Sequence, residues 1–435
     1  MMDTSKIELR SQNDLHNFLC TAKAGLYAAA AYPAKRLLLL VALLLDLLLC
    51  LAVFWPRCPI PALYGPAFLV ALLVFLFLAF LLLAGVGYIP GALAMQHNFQ
   101  RVGFVNSAGE APYMIRKEVL PDDVIALTFH CTGFPLSVWQ EKQLQLESAL
   151  NMRIATFHEE KDRRTMTLLC VPADRAFEVI PWNDAYTRRD ADEYLILGRS
   201  LVGDVIVNLN KTPHILIGGN TGSGKTVLLQ CLVWQAILQG DVVYIADFKG
   251  GVDFSKQWPH FVHLVTDEKQ LLALLDRLAA ELERRKELLV AAGAANVTEY
   301  RQVTGDYMQR IIFACDEVAE LLDKTGAAKE RKELLSKIEV RLALLARQGR
   351  AFGIHLILAM QRPDASILAG QIKNNMTIRI CGRADTTLST IILGDGRAAE
   401  QIPPDAQGRF LMDDGTLFQG FDFHDPADDD ALPKK

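Results

Sequence analysis

The sequence has 435 residues, enough for two or three domains, and 51% of them are hydrophobic, with a mean hydropathy of +0.18. The formal net charge of −5 argues against nucleic-acid binding through the charge of the whole molecule, so such a contact would need a local basic surface. The eight cysteines have neither C-x-x-C spacing nor an accompanying histidine cluster, which argues against a zinc site or a disulfide framework.

The apolar excess lies largely in two runs near the start of the chain, after a mixed and partly helical segment over residues 1–36. Residues 37–55 and residues 67–89 each have about the length of a membrane-spanning helix, and a short proline-rich loop joins them. The pattern predicts a transmembrane helical hairpin over residues 37–89. A buried helical hairpin of a soluble protein is the alternative.

The charges that flank the two runs predict the orientation of this hairpin. Lys35 and Arg36 precede the first run and Arg101 follows the second, whereas the connecting loop contains only Arg57. Since positive charge is retained on the cytoplasmic side, we expect a multi-pass plasma-membrane protein with both termini in the cytoplasm.

Residues 90–193 are predicted to form a small α+β cytoplasmic domain. Apolar and polar residues alternate over 124–130 and over 165–171, as in half-buried strands, and residues 137–150 between them have helical spacing. No catalytic constellation is visible in this region.

From residue 194 strands alternate with helices, which is typical of a parallel sheet. The interval 194–421 is therefore predicted to be an α/β domain, followed by a solvated acidic tail over 422–435. Its long helices are expected over 267–292 and 327–348. Its strands are expected at residues 214–218, 242–247, 261–265, 311–315, 354–360 and 377–381.

The stretch HILIGGNTGSGKT contains a G-x-x-x-x-G-K-[ST] loop between a strand and a helix. Such a loop wraps a triphosphate with backbone N–H groups at the positive end of the helix. Lys225 is expected to reach the β- and γ-phosphates of ATP, and the Thr226 hydroxyl is expected to bind Mg²⁺. The predicted nucleotide contacts are Gly219, Asn220, Thr221, Gly222, Ser223, Gly224, Lys225, Thr226 and Val227.

Two later strands end in polar residues that would complete an ATP-hydrolysing site. The apolar run over 311–315 is followed by Asp316 and Glu317, predicted to hold the Mg²⁺ shell and to orient the attacking water respectively. The strand over 354–360 is followed by Gln361, which could sense the γ-phosphate or position water. A plain strand followed by a proline turn is the alternative for Gln361.

Phosphoryl transfer often uses an arginine supplied across a subunit interface. The candidates are Arg284 and Arg285 in ELERRKELL, and Arg350 after the second long helix. The alternative is that these arginines are simply solvated.

With these residues in hand, residues 195–420 resemble the motor domain of the FtsK/SpoIIIE family of DNA translocases. The similarity rests on TPHILIGGNTGSGKTVLLQ, VYIADFKGGVDF, LERRKELL, IIFACDEVAELL and GRAFGIHLILAMQRPDASILAGQIKNN, in matching order and spacing. The resemblance implies a RecA-like fold, a homo-hexameric ring, ATP hydrolysis at subunit interfaces and double-stranded DNA, bound without sequence preference, in the central channel. It also places Arg284 and Arg285 where the family has a trans-acting arginine.

Three departures refine this resemblance. Two spans stand where four are usual, no winged-helix module is expected after the motor, and TTLSTIIL replaces an acid-serine-arginine triplet. A two-span, single-motor chain is more similar to the coupling proteins of Gram-positive conjugative elements, which implies relaxase or transfer-channel partners. Non-specific contacts with the DNA phosphates are expected from loops inside the ring and from the basic helix 329–350. The alternative for this helix is that its basic face is solvated. A type VII-like protein-secretion ATPase and a division-site chromosome translocase are the alternative functions.

Overall fold

In the computed structural model, the described residues are 21–22, 24–26, 29, 33–54, 64–187, 193–248, 253–254, 258–361 and 370–424. The chain divides into two compact units, Met1–Arg175 and Ala176–Lys435. Most of the segment 1–36 and residues 425–435 of the predicted acidic tail lie outside the described residues.

The first unit contains two long helices, α1 (Pro33–Phe54) and α2 (Tyr64–Gly87). Their positions agree with the two apolar runs of the sequence. Within the described residues, the segment Phe68–Gly87 of α2 is long and apolar enough to cross a membrane. Its leucines and phenylalanines are mostly exposed, as they would be in a helix whose surroundings are lipid rather than protein.

The rest of the first unit is a four-stranded antiparallel sheet in the order β1-β2-β4-β3, packed against short helices. Phe99, Phe129 and Trp139 are fully buried at its centre. The helices are α3 (Ala92–Arg101), α4 (Leu136–Glu141) and α5 (Gln143–Leu150). The strands are β1 (Tyr113–Val119), β2 (Ile125–His130), β3 (Met152–Glu159) and β4 (Thr165–Pro172).

The helix predicted over residues 137–150 is interrupted in the structure. Lys142 adopts φ −95° and ψ 10°, outside helical values, and separates α4 from α5. Apolar spacing alone did not reveal this break, because Trp139 and Leu146 on either side of it are both buried in the same core.

In the described part of the second unit, ten strands form one sheet in the order β6-β5-β14-β13-β12-β7-β11-β10-β8-β9. The six strands from β12 to β9 run parallel, and the four from β6 to β13 form an antiparallel extension. The parallel strands are β7 (Ile215–Gly218), β8 (Val242–Ala246), β9 (His263–Val265), β10 (Ile311–Cys315), β11 (Ile354–Met360) and β12 (Ile378–Cys381). The antiparallel strands are β5 (Tyr194–Ser200), β6 (Gly203–Asn208), β13 (Arg409–Met412) and β14 (Leu417–Gly420).

Helices cover both faces of this sheet, which explains why β10 and β11 are buried along their whole length. Helix α7 starts at the Asp267 cap, whose carboxylate accepts from two backbone N–H groups, and ends at Gly293 in a left-handed conformation. The helices are α6 (Lys225–Leu238), α7 (Glu268–Ala292), α8 (Val297–Thr304), α9 (Val318–Leu322), α10 (Lys329–Gln348), α11 (Gly370–Lys373), α12 (Thr386–Leu393) and α13 (Arg397–Gln401).

The ends of the second unit differ from the intervals expected from the sequence. The unit starts at Ala176 rather than at residue 194, because the Trp182 backbone N–H donates to the Asp422 carbonyl and the Trp182 ring packs edge-on against Phe421. Phe423 is buried. Residues 422–424 are therefore part of the folded unit and not of a solvated tail.

Candidate active site

The glycine-rich loop over 219–224 leaves the carboxyl end of β7, between β11 and β12. Gly218 pairs with Met360 on one side and with Cys381 on the other, so three strands end together beneath the loop. Helix α6 begins at Lys225 and points its amino terminus into the loop. The arrangement presents backbone N–H groups and the positive end of a helix dipole to one point.

Two glycines of the loop adopt a left-handed backbone conformation that favours glycine. Gly222 and Gly224 have φ values of 75° and 93°, in the left-handed region. A Cβ atom on Gly224 would also lie 3.0 Å from the Gly408 Cα atom. These glycines let the loop close on itself and leave a cradle that fits a polyphosphate.

Asp316 follows β10 and faces the start of α6. Its Oδ1 atom accepts a hydrogen bond from the Thr226 hydroxyl at 3.0 Å and lies 3.8 Å from Lys225 Nζ. Lys225 and Asp316 are both almost fully buried. A lysine, a hydroxyl and a carboxylate thus meet at the mouth of the loop, which is a suitable donor set for a phosphate with its Mg²⁺ ion.

Glu317 is buried next to this pair, and 6% of its surface is exposed. Its Oε1 atom accepts from the Gln361 backbone N–H at 3.4 Å, whereas Oε2 has no hydrogen-bond partner among the described residues. Burial raises the pKa of the Glu317 carboxyl, and the charge of Lys225 opposes that rise. A buried carboxylate with one free oxygen has the properties of a general base.

Gln361 follows β11 and reaches the glycine-rich loop. Its side-chain Oε1 accepts from the Thr221 hydroxyl at 3.1 Å. The structure therefore brings together the loop, the acids after β10 and the glutamine after β11, as the sequence predicts.

The two adjacent arginines of α7 have different environments, and neither lies at this site. Arg285 is buried and donates to Glu281 and to the carbonyls of Gln309 and Phe352, which precede β10 and β11. It therefore ties α7 to the amino edge of the sheet, and the interpretation of Arg285 as a trans-acting arginine is corrected. Arg284 is 58% exposed and forms a bidentate ion pair with Glu281.

Three of the other basic candidates make contacts within the chain. Arg350 donates to the Asn210 carbonyl, also near the amino edge of the sheet. On α10, Arg331 pairs with Glu268 and Arg341 pairs with Asp276, both on α7. These ion pairs reduce the positive charge that α10 can offer to DNA.

Two further polar residues lie at the same edge of the sheet and were missed. Asp247 follows β8, and because Ala246 pairs with Cys315, it stands beside Asp316 at the ends of neighbouring strands. The acid that ends the apolar run VVYIAD was a visible signal for it. Arg383 follows β12, and its guanidinium donates to the Thr221 carbonyl at 3.0 Å. No local motif marked Arg383, since only the pairing of β12 with β7 brings it to the loop.

Comparison with known proteins identifies the family. Residues 182–365 match the FtsK/SpoIIIE family model. The solved structure of the pCW3 conjugation coupling protein TcpA, a monomer form with ATPγS, is 34% identical, with a TM-score of 0.57, covering 77% of this chain and 96% of that one. The chain belongs to the FtsK/SpoIIIE family.

Membership of the FtsK/SpoIIIE family gives the chain a P-loop motor fold of the mixed α/β class. Among curated relatives, a DNA translocase FtsK of Campylobacter jejuni is 30% identical over 220 residues, covering 48% of this chain and 22% of the relative. The DNA translocase SpoIIIE of Bacillus subtilis is 29% identical over 263 residues, covering 52% and 32%. The chain thus spans about a fifth to a third of the length of these relatives.

Proposed function

We propose that the site at the carboxyl edge of the sheet hydrolyses ATP. Lys225 and the backbone N–H groups of residues 219–227 would hold the β- and γ-phosphates, while Thr226 and Asp316 would bind Mg²⁺, which neutralises phosphate charge. Glu317 would accept a proton from the attacking water, and Gln361 would orient that water. The observation that carries this proposal is the convergence of Lys225, Thr226 and Asp316 within hydrogen-bond and ion-pair distances.

ATPase assays of the detergent-solubilised protein test these roles. Lys225→Ala is expected to abolish hydrolysis because it removes the cation at the phosphates. Glu317→Gln is expected to retain ATP binding but to reduce kcat by about 10²–10⁴-fold, the usual contribution of a general base. Glu320→Gln, an acid of the adjacent helix α9, is the matched control. Full hydrolysis by Glu317→Gln would contradict the proposal.

We further propose that hydrolysis moves double-stranded DNA and that the protein is a coupling protein for conjugative transfer. Support comes from the similarity to TcpA, named as a conjugation coupling protein, over nearly the whole of that chain. The curated relatives are named as DNA translocases. The working assembly would be a homo-hexameric ring that passes DNA to transfer-channel or relaxase partners.

DNA dependence separates this proposal from protein secretion. Duplex DNA is expected to stimulate the ATPase several-fold, and DNA binding is expected to weaken steeply between 50 and 200 mM salt, because phosphate contacts release counterions. Lys225→Ala should still bind DNA while showing no stimulated hydrolysis. Absence of both stimulation and salt-sensitive binding would contradict a DNA translocase and favour a protein cargo.

We also propose that α1 and α2 anchor the motor in the plasma membrane as a hairpin with both termini in the cytoplasm. The support is the apolar composition of both helices and the flanking charges Lys35, Arg36 and Arg101. The full chain should resist alkaline extraction from membranes. The double variant Leu73→Lys/Leu76→Lys should be extracted, since each charge at the centre of a span costs about 2.5–3.5 kcal/mol. Release of the unaltered protein by alkali would contradict the anchor.

A further inference from the structure

Arg383 joins the glycine-rich loop to a second loop that runs from Pro403 to Gly408. One guanidinium nitrogen, Nη2, donates to the Thr221 carbonyl at 3.0 Å, and Nη1 donates to the Pro404 carbonyl at 2.5 Å. The backbone of Arg383 takes part as well, because its carbonyl accepts from the Asn220 N–H at 2.8 Å. Arg383 therefore contacts two consecutive residues of the loop that would wrap the phosphates.

The contact between Arg383 and the glycine-rich loop is close. A Cβ atom on Gly222 would lie 3.3 Å from Nη2, so the loop passes directly over the guanidinium. Within the described part of the chain, the hydrogen bonds of Arg383 go to backbone carbonyls and it forms no ion pair. A half-buried positive charge beside an anion-binding loop favours a bound polyphosphate.

Thr221 links Arg383 to Gln361 and Glu317 through hydrogen bonds. While its carbonyl accepts from Arg383, its hydroxyl donates to Gln361 Oε1 at 3.1 Å. The Gln361 backbone N–H donates in turn to Glu317 Oε1. A continuous chain of hydrogen bonds thus connects the general-base candidate Glu317 with Pro404 by way of the glycine-rich loop.

The second loop is fixed to the first at a separate point. The Gly408 backbone N–H donates to the Ser223 carbonyl at 2.9 Å, and the Gly408 carbonyl accepts from the Gly420 N–H in β14. The glycine-rich loop is therefore held from outside at Thr221 and at Ser223. Of these two attachments, the one at Thr221 depends on a side chain.

We propose that Arg383 is a positioning residue for ATP hydrolysis, which holds Thr221 against the 403–408 loop so that the Thr221 hydroxyl orients Gln361. The inference rests on the proposed ATPase function of the site. Arg383 acts here through Thr221 and Gln361 and is not itself assigned a contact with the reacting atoms. Its loss should therefore slow turnover more than it weakens ATP binding.

Kinetics of Arg383→Ala test this inference, with Arg379→Ala as a matched control. Arg379 lies on β12, the strand that Arg383 follows, and its side chain also donates to two backbone carbonyls, those of Met376 and Lys373, rather than to the glycine-rich loop. Arg383→Ala is expected to lower kcat at least tenfold and to raise KM less than about threefold. Arg383→Lys keeps the positive charge but cannot donate to the Thr221 and Pro404 carbonyls with the geometry of a guanidinium, so it should give an intermediate kcat. Arg379→Ala should keep the kcat of the unaltered protein.

A double-mutant cycle tests the route through Thr221. Thr221→Val removes the hydroxyl contact with Gln361 but keeps the backbone carbonyl that Arg383 contacts. If both residues act on Gln361 together, the kcat of the double variant should be no lower than that of the worse single variant. Multiplied losses in the double variant would overturn the route.

Three other outcomes would also overturn the inference: kcat of Arg383→Ala within twofold of the unaltered protein, an increase in KM alone, or an equal loss in Arg379→Ala. Failure of the proposed ATPase function itself is a different result. It would appear as absent hydrolysis by the unaltered protein, or as hydrolysis that survives Lys225→Ala, before any Arg383 variant is compared.

Discussion

Glu317 has a carboxyl group whose burial raises its pKa above the ordinary value of 4.5. The proposed general base must be ionised to accept a proton, so hydrolysis is expected to fall as the pH decreases through this raised pKa. The acid limb of the kcat profile should therefore lie at a higher pH than an exposed glutamate would give. Steady-state ATPase rates measured between pH 5 and 8 give the position of this acid limb.

Because Lys225 lies close to Glu317, the acid limbs of the kcat and kcat/KM profiles should differ. Lys225 opposes the rise in the Glu317 pKa, and bound ATP, whose phosphates carry more negative charge than one Mg²⁺ ion neutralises, would weaken that effect. The acid limb should thus shift upward in kcat, which reports the ATP complex, relative to kcat/KM, which reports the free protein. Identical acid limbs near pH 4.5 in both profiles would contradict a buried base.

His214 and His355 form a second buried titrating pair, at the amino ends of β7 and β11. Burial lowers the pKa of His214 to about 4 and holds that of His355 well below its usual value. The unfolded chain binds these protons below about pH 6.5, whereas the folded chain does not until lower pH. Stability should therefore fall as the pH decreases from 6.5 towards 4, with His214 alone contributing on the order of 3 kcal/mol.

His214→Asn isolates this contribution. The asparagine side-chain oxygen can still accept from the Leu356 N–H, which donates to His214 Nδ1 at 3.0 Å. The thermal midpoint of the variant should drop less between pH 7.5 and 5 than that of the unaltered protein. Equal drops in the two proteins would show that His214 is not the titrating group.

Residue spacing and the strand context were enough to predict Lys225, Thr226, Asp316 and Glu317 as site residues, because each follows a strand end within a fixed pattern. Residue spacing did not show that Arg285 is buried and Arg284 is exposed. Adjacent positions of one helix point about 100° apart, so one of two neighbouring arginines can be buried while the other is exposed. Only the position of the sheet beneath α7 decides which one is buried.

Helix α7 is attached to the sheet edge by Arg285. Its guanidinium makes three hydrogen bonds of 2.7 Å, to Glu281 and to the carbonyls of Phe352 and Gln309. Arg285→Ala would remove the donor to the Phe352 and Gln309 carbonyls and is expected to lower the free energy of unfolding by about 3 kcal/mol. Arg284→Ala, whose side chain is exposed, should change it by less than about 1 kcal/mol. Thermal melts of both variants measure the difference.

The paired design also tests the assigned roles. If Arg284→Ala abolishes ATPase activity while leaving the melting temperature unchanged, its contribution is functional. Comparable destabilisation by the two variants would contradict the distinction between them. Arg285→Lys should not restore stability, because an ammonium group cannot reproduce the planar three-donor geometry.

The parallel strands were predictable, and the antiparallel extension was not. Strands β7, β10 and β11 are continuous apolar runs because helices bury both of their faces. Strands β13 and β14 have four residues each and join distant parts of the chain, β14 pairing with β5. A short strand whose partner lies some two hundred residues away leaves little local periodicity to read.

The candidate ATP site and Arg284 lie towards opposite edges of the parallel sheet. The glycine-rich loop follows the carboxyl end of β7, whereas the neighbour of Arg284, Arg285, is bonded to residues that precede β10 and β11. Arg284 also lines an open cleft of about 540 Å³ at that edge. In the proposed ring, head-to-tail contacts would join two different faces of the subunit, so this separation is compatible with an arginine supplied in trans.

Mixing two inactive variants tests this arrangement directly. Lys225→Ala destroys the site of its own subunit but keeps Arg284, while Arg284→Ala keeps its own site but would deprive its neighbour. When equal amounts are assembled together, about a quarter of the interfaces should pair an intact site with an intact arginine, so ATPase activity should reappear. Lys225→Ala mixed with Glu317→Gln is the control. Both changes alter the ATP site of their own subunit, so no interface in this mixture contains an intact site. Recovery in the control, or none in the test mixture, would contradict an arginine supplied in trans.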